Sequence, residues 1–453
     1  MTEPPHPPDP APASTPDAAE FAWLARRSFS IGLLSFGGPA AQIALLHKEF
    51  VADGKRISEG RFLNALNYCM LLPGPEAQQL ATYCGWIVAG TRGGIVLGLL
   101  FIAPGALAML ALSLVYVTFG TSPLVAGLFF GIKAGVLAIV LQALVRLSAR
   151  AMTSAAALAI AAASFCALFI FDLPFPLVIV AAGLCGLLVP RAAATPSPAQ
   201  DERGAGPAAA GRSLHARALR ILATGIALWA LPVAAILLLL SPGHVFADIA
   251  AFFSTMALVS FGGAYALLSY MAQVAVETNG WLTAGEMLDG LGLAETTPGP
   301  LILVTQFVGY LGGYRAPAPF DPAVAGLLAA GLTTWVTFAP SFVFVLAGAP
   351  YVDRIRGIAW LSNVLSAITA AVVGTILNLS VWFAINVLFA TVTVLDAGWI
   401  SLPLPVAGSL QPWSLAIAAG AGVMLFALKR SVAEVVIAAS LAGLALRMSG
   451  LAS

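Results

Sequence analysis

Long apolar runs, separated by short polar clusters, dominate the chain. A helix needs about twenty apolar residues, at 1.5 Å rise, to cross a 30 Å hydrocarbon core. Runs of that length lie near 94–118, 123–148, 153–171, 219–240, 324–348 and 359–382, with shorter ones near 175–190, 412–428 and 433–447. Two further segments have the same apolar character but are interrupted. Ala22 to Phe50 breaks at Phe36-Gly37-Gly38-Pro39, leaving two pieces of about thirteen residues, and Phe62 to Gly90 breaks at Pro73-Gly74-Pro75. Proline removes a backbone donor and disfavours helix just before it, while glycine admits the reversed dihedrals of a tight turn. Each segment therefore reads as a broken helix or re-entrant hairpin, with a kinked but ordinary span as the alternative. Unwound backbone at membrane depth persists only where protein buries it or it lines a cavity.

A polar linker at 191–218 divides the pattern in two. It carries Arg191, Arg203, Arg212 and Arg217, flanked by Arg220, against only Asp201 and Glu202. The positive-inside rule places it in the cytoplasm. Residues 1–20 hold seven prolines, no Lys or Arg and no apolar core, and read as a disordered tail rather than a signal peptide. The expected units are thus 1–20, a first repeat at 21–190, the linker, and a second repeat at 219–453.

The halves repeat in sequence. Ser35-Phe36-Gly37-Gly38 recurs as Ser260-Phe261-Gly262-Gly263, and Pro73-Gly74-Pro75 as Pro298-Gly299-Pro300, both at an offset of 225 residues. Val51/Val276 and Gly60/Gly285 keep that register. Beyond a polar insertion around Tyr314 to Asp321, Ala103-Pro104 matches Ala339-Pro340 and Gln142 falls opposite Asn378, at an offset of 236. Two rare motifs in one register mark a genuine internal duplication.

Charge sets the relative orientation. Residues 47–61 contain Lys48, Lys55, Arg56 and Arg61, whereas 272–286 contain no Lys or Arg but carry Glu277 and Glu286. One loop reads as cytoplasmic and its copy as periplasmic. Arg146, Arg150, Arg191, Asp353-Arg354-Ile355-Arg356 and Lys429-Arg430 can all lie inside if the second half is flipped, and Arg26-Arg27 joins Lys48 inside if the first broken segment is re-entrant; Arg315 alone falls on the wrong side. The predicted fold is an all-α polytopic membrane protein of two inverted-topology repeats with broken or re-entrant motif helices. Such repeats place a site near the midplane between the halves.

Composition agrees. Sixty per cent of the 453 residues are apolar and 9% charged, against about 25% charged in soluble domains. Net charge is +1, so nothing points to nucleic acid. Cys69, Cys84, Cys166 and Cys185 lie in apolar runs without C-x-x-C spacing and read as buried structural thiols. The four histidines are scattered, and no metal or cofactor is implied. There is no G-x-x-x-x-G-K-[ST], H-E-x-x-H or G-x-S-x-G, so neither ATP-driven transport nor an intramembrane hydrolase finds support.

A half-helix starting just after Gly38-Pro39 or Pro75 would aim free N–H groups and a partial positive charge at its tip, a ready anion site. Gln42 follows the first tip, and Gln78, Gln79 and Thr82 follow the second; in the other half Thr296 and Thr297 precede Pro298, and Gln306 follows Pro300. These neutral groups can coordinate an oxyanion, or equally hold helices together. Lys133, inside an apolar run, is costly unless it faces a wet cavity or a partner. It reads as an anion ligand, or as a structural pair to Glu76 or another carboxylate. Its counterpart is Thr369. Glu76 and Glu295 flank the Pro-Gly-Pro tips and suit a proton-coupling or gating role, although Glu76 can simply cap its helix.

The Ser-Phe-Gly-Gly opening, the string Leu72-Pro73-Gly74-Pro75-Glu76-Ala77-Gln78-Gln79-Leu80, and Thr297-Pro298-Gly299-Pro300 followed by Gln306-Phe307-Val308-Gly309-Tyr310 resemble the chromate transporter family in its long, two-domain form. The likeness is strong over 21–150 and 246–385 and weaker elsewhere. It implies efflux of chromate from the bacterial cytoplasm, hence chromate resistance, driven by the membrane potential or a proton gradient. Sulfate or another oxyanion is the alternative substrate, and a non-transport membrane protein the remaining one. The expected oxyanion contacts are Ser35, Phe36, Gly37, Gly38, Gln42, Pro73, Gly74, Pro75, Gln78, Gln79, Lys133, Gly262, Gly263, Thr297, Pro298, Gly299, Pro300 and Gln306. The expected partners are the oxyanion and the lipid bilayer, with the chain a monomer or homodimer.

Overall fold

In the first half, α1 (Ala18–Leu34) and α2 (Gly38–His47) meet at the Ser-Phe-Gly-Gly break, and α2 runs on into a π-helical turn, Lys48–Ala52. α3 (Glu59–Leu71) and α4 (Glu76–Phe119) meet at Pro-Gly-Pro. The computed structural model describes residues 18–36, 38–120, 122–188, 211–240, 243–261, 264–352, 359–398 and 400–451. Gly37, Gly262, Gly263, most of the linker and Asp353 to Arg356 therefore lie outside the described residues. Within α4, Ala89 and Gly90 leave helical geometry, Gly90 at φ 61° and ψ −156°. The helix folds back there into arms 76–88 and 91–119. Gly85 and Gly93 face each other across the arms so closely that a Cβ on either would meet the other's backbone. α5 (Pro123–Ala151), α6 (Ala155–Phe169) and α7 (Phe175–Leu188) complete the half.

The second half repeats this plan. α9 (Val245–Leu258), α10 (Ala264–Ala272) with its π turn Gln273–Thr278, and α11 (Ala284–Thr296) keep the offset of 225. A 3-10 turn at Leu301–Leu303, α12 (Val304–Arg315) and α13 (Pro322–Gly348) correspond to the two arms of α4. The polar insertion foreseen between Tyr314 and Asp321 replaces the bare Ala89-Gly90 break. α14 (Ala359–Leu388) matches α5 at an offset of 236; α15 (Pro412–Gly422, continued as a π turn to Ala427) and α16 (Val432–Met448) match α6 and α7 at 257. The shift between those two offsets arises from a β-hairpin, β1 (Val392–Asp396) and β2 (Ser401–Pro405), paired Val392 with Pro405 through Asp396 with Ser401. This hairpin departs from the all-α pattern that the sequence predicts. Its Val-Thr-Val alternation and the left-handed Gly398 (φ 69°) are short-range hairpin signals.

Helix starts follow their caps. Ser122, Ser154, Asp321 and Ser431 accept from the first-turn backbone of α5, α6, α13 and α16, with Pro at the first helical position of α5 and α13. Thr283 and Glu286 form a full capping box on α11.

Five described helices are long and apolar enough to cross a membrane: Glu76–Phe119, Pro123–Ala151, His215–Leu239, Pro322–Tyr351 and Trp360–Leu388. The chain is a multi-pass membrane protein. α8 (Gly211–Leu239) has no counterpart in the repeat. It lies against α13, where Val343 fills the space beside Gly225 and Trp335 donates to the Leu228 carbonyl at 3.2 Å. Among the described residues, α1 starts at Ala18 and α8 at Gly211, inside the stretches 1–20 and 191–218.

The halves are inverted and interlocked. Gly94 packs on Leu346 and Gly98 on Phe342, so the long arm of α4 runs antiparallel to its own counterpart, α13. The terminal hairpins are exchanged. α5 packs on α16 through Gly127, Gly131 and Gly443, and its counterpart α14 packs on α7 through Gly183 and Gly186. Small residues let these backbones approach without the hydrophobic drive that water would supply. Cys69 and Cys84 are buried as expected, but Cys185 is exposed on α7.

Candidate functional site

Both motif segments are re-entrant. Arg27 on α1 pairs with Glu49 at 3.1 Å, Arg56 pairs with Glu20 at 3.0 Å, and His47 meets Glu59 at 2.7 Å. The outer ends of α1, α2 and α3 therefore lie on one face, and the chain returns to it after each tip. Tyr68 and Tyr83 stack obliquely across the second hairpin, 5.6 Å between ring centroids.

At the centre each tip is held by the opposite half. The Gly74 N–H donates to the Ser260 carbonyl at 3.0 Å, and the Gly299 N–H donates to the Ser35 carbonyl at 2.9 Å. Gly74 (φ 132°) and Gly299 (φ 95°) adopt left-handed backbone that other residues enter only with strain. Neither has room for a side chain. A Cβ on Gly74 would strike Gln79 and Ser341, and one on Gly299 would lie 3.2 Å from the Gly105 Cα. Ser341 and Gly105 follow Pro340 and Pro104 and are themselves counterparts at the 236 offset. Each Pro-Gly-Pro tip thus rests on the proline-bearing helix of the other half.

The polar side chains gather here, and the amide donors of Gln42, Gln78 and Gln79 are already engaged. Gln42 donates to the Gly299 carbonyl at 2.6 Å and the Ser35 carbonyl at 3.2 Å; Gln79 donates to the Pro73 carbonyl at 2.7 Å, and Gln78 to the Thr82 hydroxyl at 2.9 Å. The buried amide oxygens of Gln42, Gln78, Gln79 and Gln306, and the Ser35 hydroxyl, have no hydrogen-bond partner in the protein. Buried polar atoms in that state point to a water or ligand. Thr297 bonds back to the Ala294 carbonyl at 3.3 Å, and Thr296 to Leu293 at 2.9 Å, so both serve their own helix end. Pro75 and Pro300 cap α4 and the Leu301 turn, Gly38 opens α2 at φ 75°, and the Pro298 carbonyl faces Gly105. Phe36 is 43% exposed, while Glu295 is buried on α11. Glu76 stands at the first position of α4, where a carboxylate suits the helix dipole.

Lys133 lies apart from these tips. Its ammonium pairs with Asp289 at 3.2 Å, and Tyr116 donates to the same carboxylate oxygen at 2.8 Å. The partner is thus a carboxylate other than Glu76. Asp289 sits seven residues before the end of α11, roughly 10 Å from the tip along the helix. The sequence signal that would have found it is an acid inside an apolar segment, opposite Asn64 in the first half. A cavity of about 260 Å³ lies over the pair, lined among others by Phe129, Thr283, Glu286 and Arg447. Arg315, the basic residue out of place by charge, bonds Glu286 and donates to the Trp281 carbonyl at 2.7 Å, which neutralises it locally.

The chain matches the chromate transporter family over residues 22–187 and 247–444, one match in each half. It is 32% identical to a chromate transport protein of Pseudomonas aeruginosa over 80% of this chain and 81% of that one. It is 25% identical to a chromate transport protein of Cupriavidus metallidurans over 76% and 78%. A probable chromate transport protein of Synechococcus elongatus is also 25% identical, over 78% and 82%. No solved structure matches the chain. With both halves covered and the inverted, tip-to-tip architecture in place, the protein belongs to the chromate transporter family.

Proposed function

We propose that the protein is a secondary active transporter of a bacterial inner membrane that exports chromate from the cytoplasm by alternating access and so confers chromate resistance. The observation that carries this reading is the crossed pairing of the tips, Gly74 with Ser260 and Gly299 with Ser35. It joins two inverted halves at one central point, where rocking of one half against the other exposes the same site to either side. The N-terminal turn of α4 leaves backbone N–H groups without intrahelical partners beside Gln78 and Gln79, an arrangement that favours an anion. Lys133 contributes its charge once parted from Asp289. Gln42 and Gln79, with their donors on backbone carbonyls, hold the tips in shape around the anion. Glu76 and Glu295 flank the tips and supply candidate proton-linked carboxylates. One chain provides both tips, so a monomer suffices for a complete site.

Flux of labelled chromate and sulfate in vesicles of fixed orientation tests this. Potential-driven chromate movement in the cytoplasm-to-periplasm direction is expected. Sulfate flux with chromate excluded would reassign the substrate, and absence of any solute flux would reject transport.

A further inference from the structure

The inverted duplication gives the helices of each half, α8 aside, a counterpart in the other, so packing present in one half and missing in the other reports a conformational state. α11 and α3 differ in this way. Residues 287–295 of α11 are buried without interruption. Over the matching stretch of α3, Leu63 is 43% and Met70 46% exposed, and Asn67 is exposed between them. These three residues share one helical face. The same face of α11 lies against α5, where Ile132 and Val136 crowd Gly292 and the Lys133 ammonium reaches Gly285. α2 and α10 repeat the contrast. Asn378 of α14 donates to the buried Ser269 of α10 at 3.2 Å, whereas the counterpart of Ser269, Ala44, is exposed. An exposed Asn67 on a re-entrant helix is costly against lipid and comfortable only against water.

We infer that the structure is closed on the face carrying Thr283 and open on the face carrying the 47–59 loop, and that Lys133, Asp289 and Tyr116 form the latch that holds it closed. Asp289 is then a gating residue of the transport cycle. In the opposite state α11 leaves α5, parting the charges, and α3 closes on α14, bringing Asn64 toward Thr369. The two closures are chemically unequal. One is an ion pair with a hydroxyl donor; the other joins two neutral side chains. The latch biases the resting protein toward the conformation open at the 47–59 loop. The cycle assigned to this latch rests on the transport reading above, but its existence is measurable without any substrate.

The test uses the full chain with its four cysteines replaced by alanine and single probes at the counterpart positions, Leu63→Cys and Leu288→Cys, with Asn67→Cys as a third. A membrane-impermeant maleimide should label Leu63→Cys and Asn67→Cys from the 47–59 face and leave Leu288→Cys protected. Asp289→Asn should raise labelling of Leu288→Cys about tenfold and lower that of Leu63→Cys, as a population shift requires. Lys133→Met should go further, because it strands a carboxylate that is nine-tenths buried. The charge-exchanged double variant Lys133→Asp/Asp289→Lys should restore the original pattern. Inert Leu63→Cys and Asn67→Cys, or labelling rates indifferent to all three variants, would overturn the inference. Loss of chromate flux with this labelling pattern intact would count against the transport reading alone.

Discussion

The N–H of Gly299 donates to the carbonyl of Ser35 at 2.9 Å, and the counterpart bond, Gly74 to Ser260, measures 3.0 Å. A backbone bond made in duplicate between opposite halves ties the unwound segments together and satisfies peptide groups that helix geometry leaves free in a membrane. It also fixes where the halves touch, so changes at these four residues test the centre of the protein directly.

Gly74→Ala and Gly299→Ala should each destabilise the protein by about 1–2 kcal/mol through left-handed backbone alone. A methyl on Gly299 would press Leu303 Cδ1 at 3.0 Å and the Gly105 Cα at 3.2 Å, whereas one on Gly74 would have to displace the ends of Gln79 and Ser341. Gly60→Ala, with ordinary backbone and nothing within 4 Å of the new methyl, is the control. Thermal unfolding in detergent should place both tip variants below this control.

Gln42→Leu installs the residue that occupies the matching position, Leu267. Both donors to Ser35 and Gly299 vanish, and buried carbonyls are left short of partners, at about 1–3 kcal/mol. Lower thermal stability together with lower chromate flux is the expected result. Unchanged stability would show that the tip holds without its amide.

Lys133→Met should abolish chromate resistance while leaving the protein in the membrane, measured by growth on chromate alongside immunoblots of membrane fractions. Intact resistance would remove the charge from the mechanism.

Gly443→Ala should lower stability by roughly 1–3 kcal/mol, because its new methyl meets the Gly131 backbone. Gly186→Ala, at the exchanged counterpart interface of α7 with α14, meets Asn363 and Ala367 and should cost a similar amount. Matching shifts in unfolding temperature would confirm that the two interfaces carry equal weight.

The duplication, its offset and the inversion are legible because they are written locally, in Ser-Phe-Gly-Gly, Pro-Gly-Pro and the charges of 47–61 against 272–286. The β-hairpin at 392–405 is poorly legible for a related reason: a short apolar alternation beside spanning helices looks like more membrane. Asp289 is less legible, because its importance depends on what faces it, and that partner lies on α5, far away in sequence.

By itself, the sequence determined which segments are apolar enough to enter a membrane, where the helices must break, and that the two halves are copies facing opposite ways. Composition, proline and glycine positions and loop charge act within a few residues and need no tertiary partner. Tertiary structure decided that each tip is held by the other half, that Lys133 meets Asp289 rather than Glu76, and that α11 is packed while α3 is not. These depend on contacts between segments hundreds of residues apart, whose formation is set by how whole helices fit, and no local pattern encodes that fit.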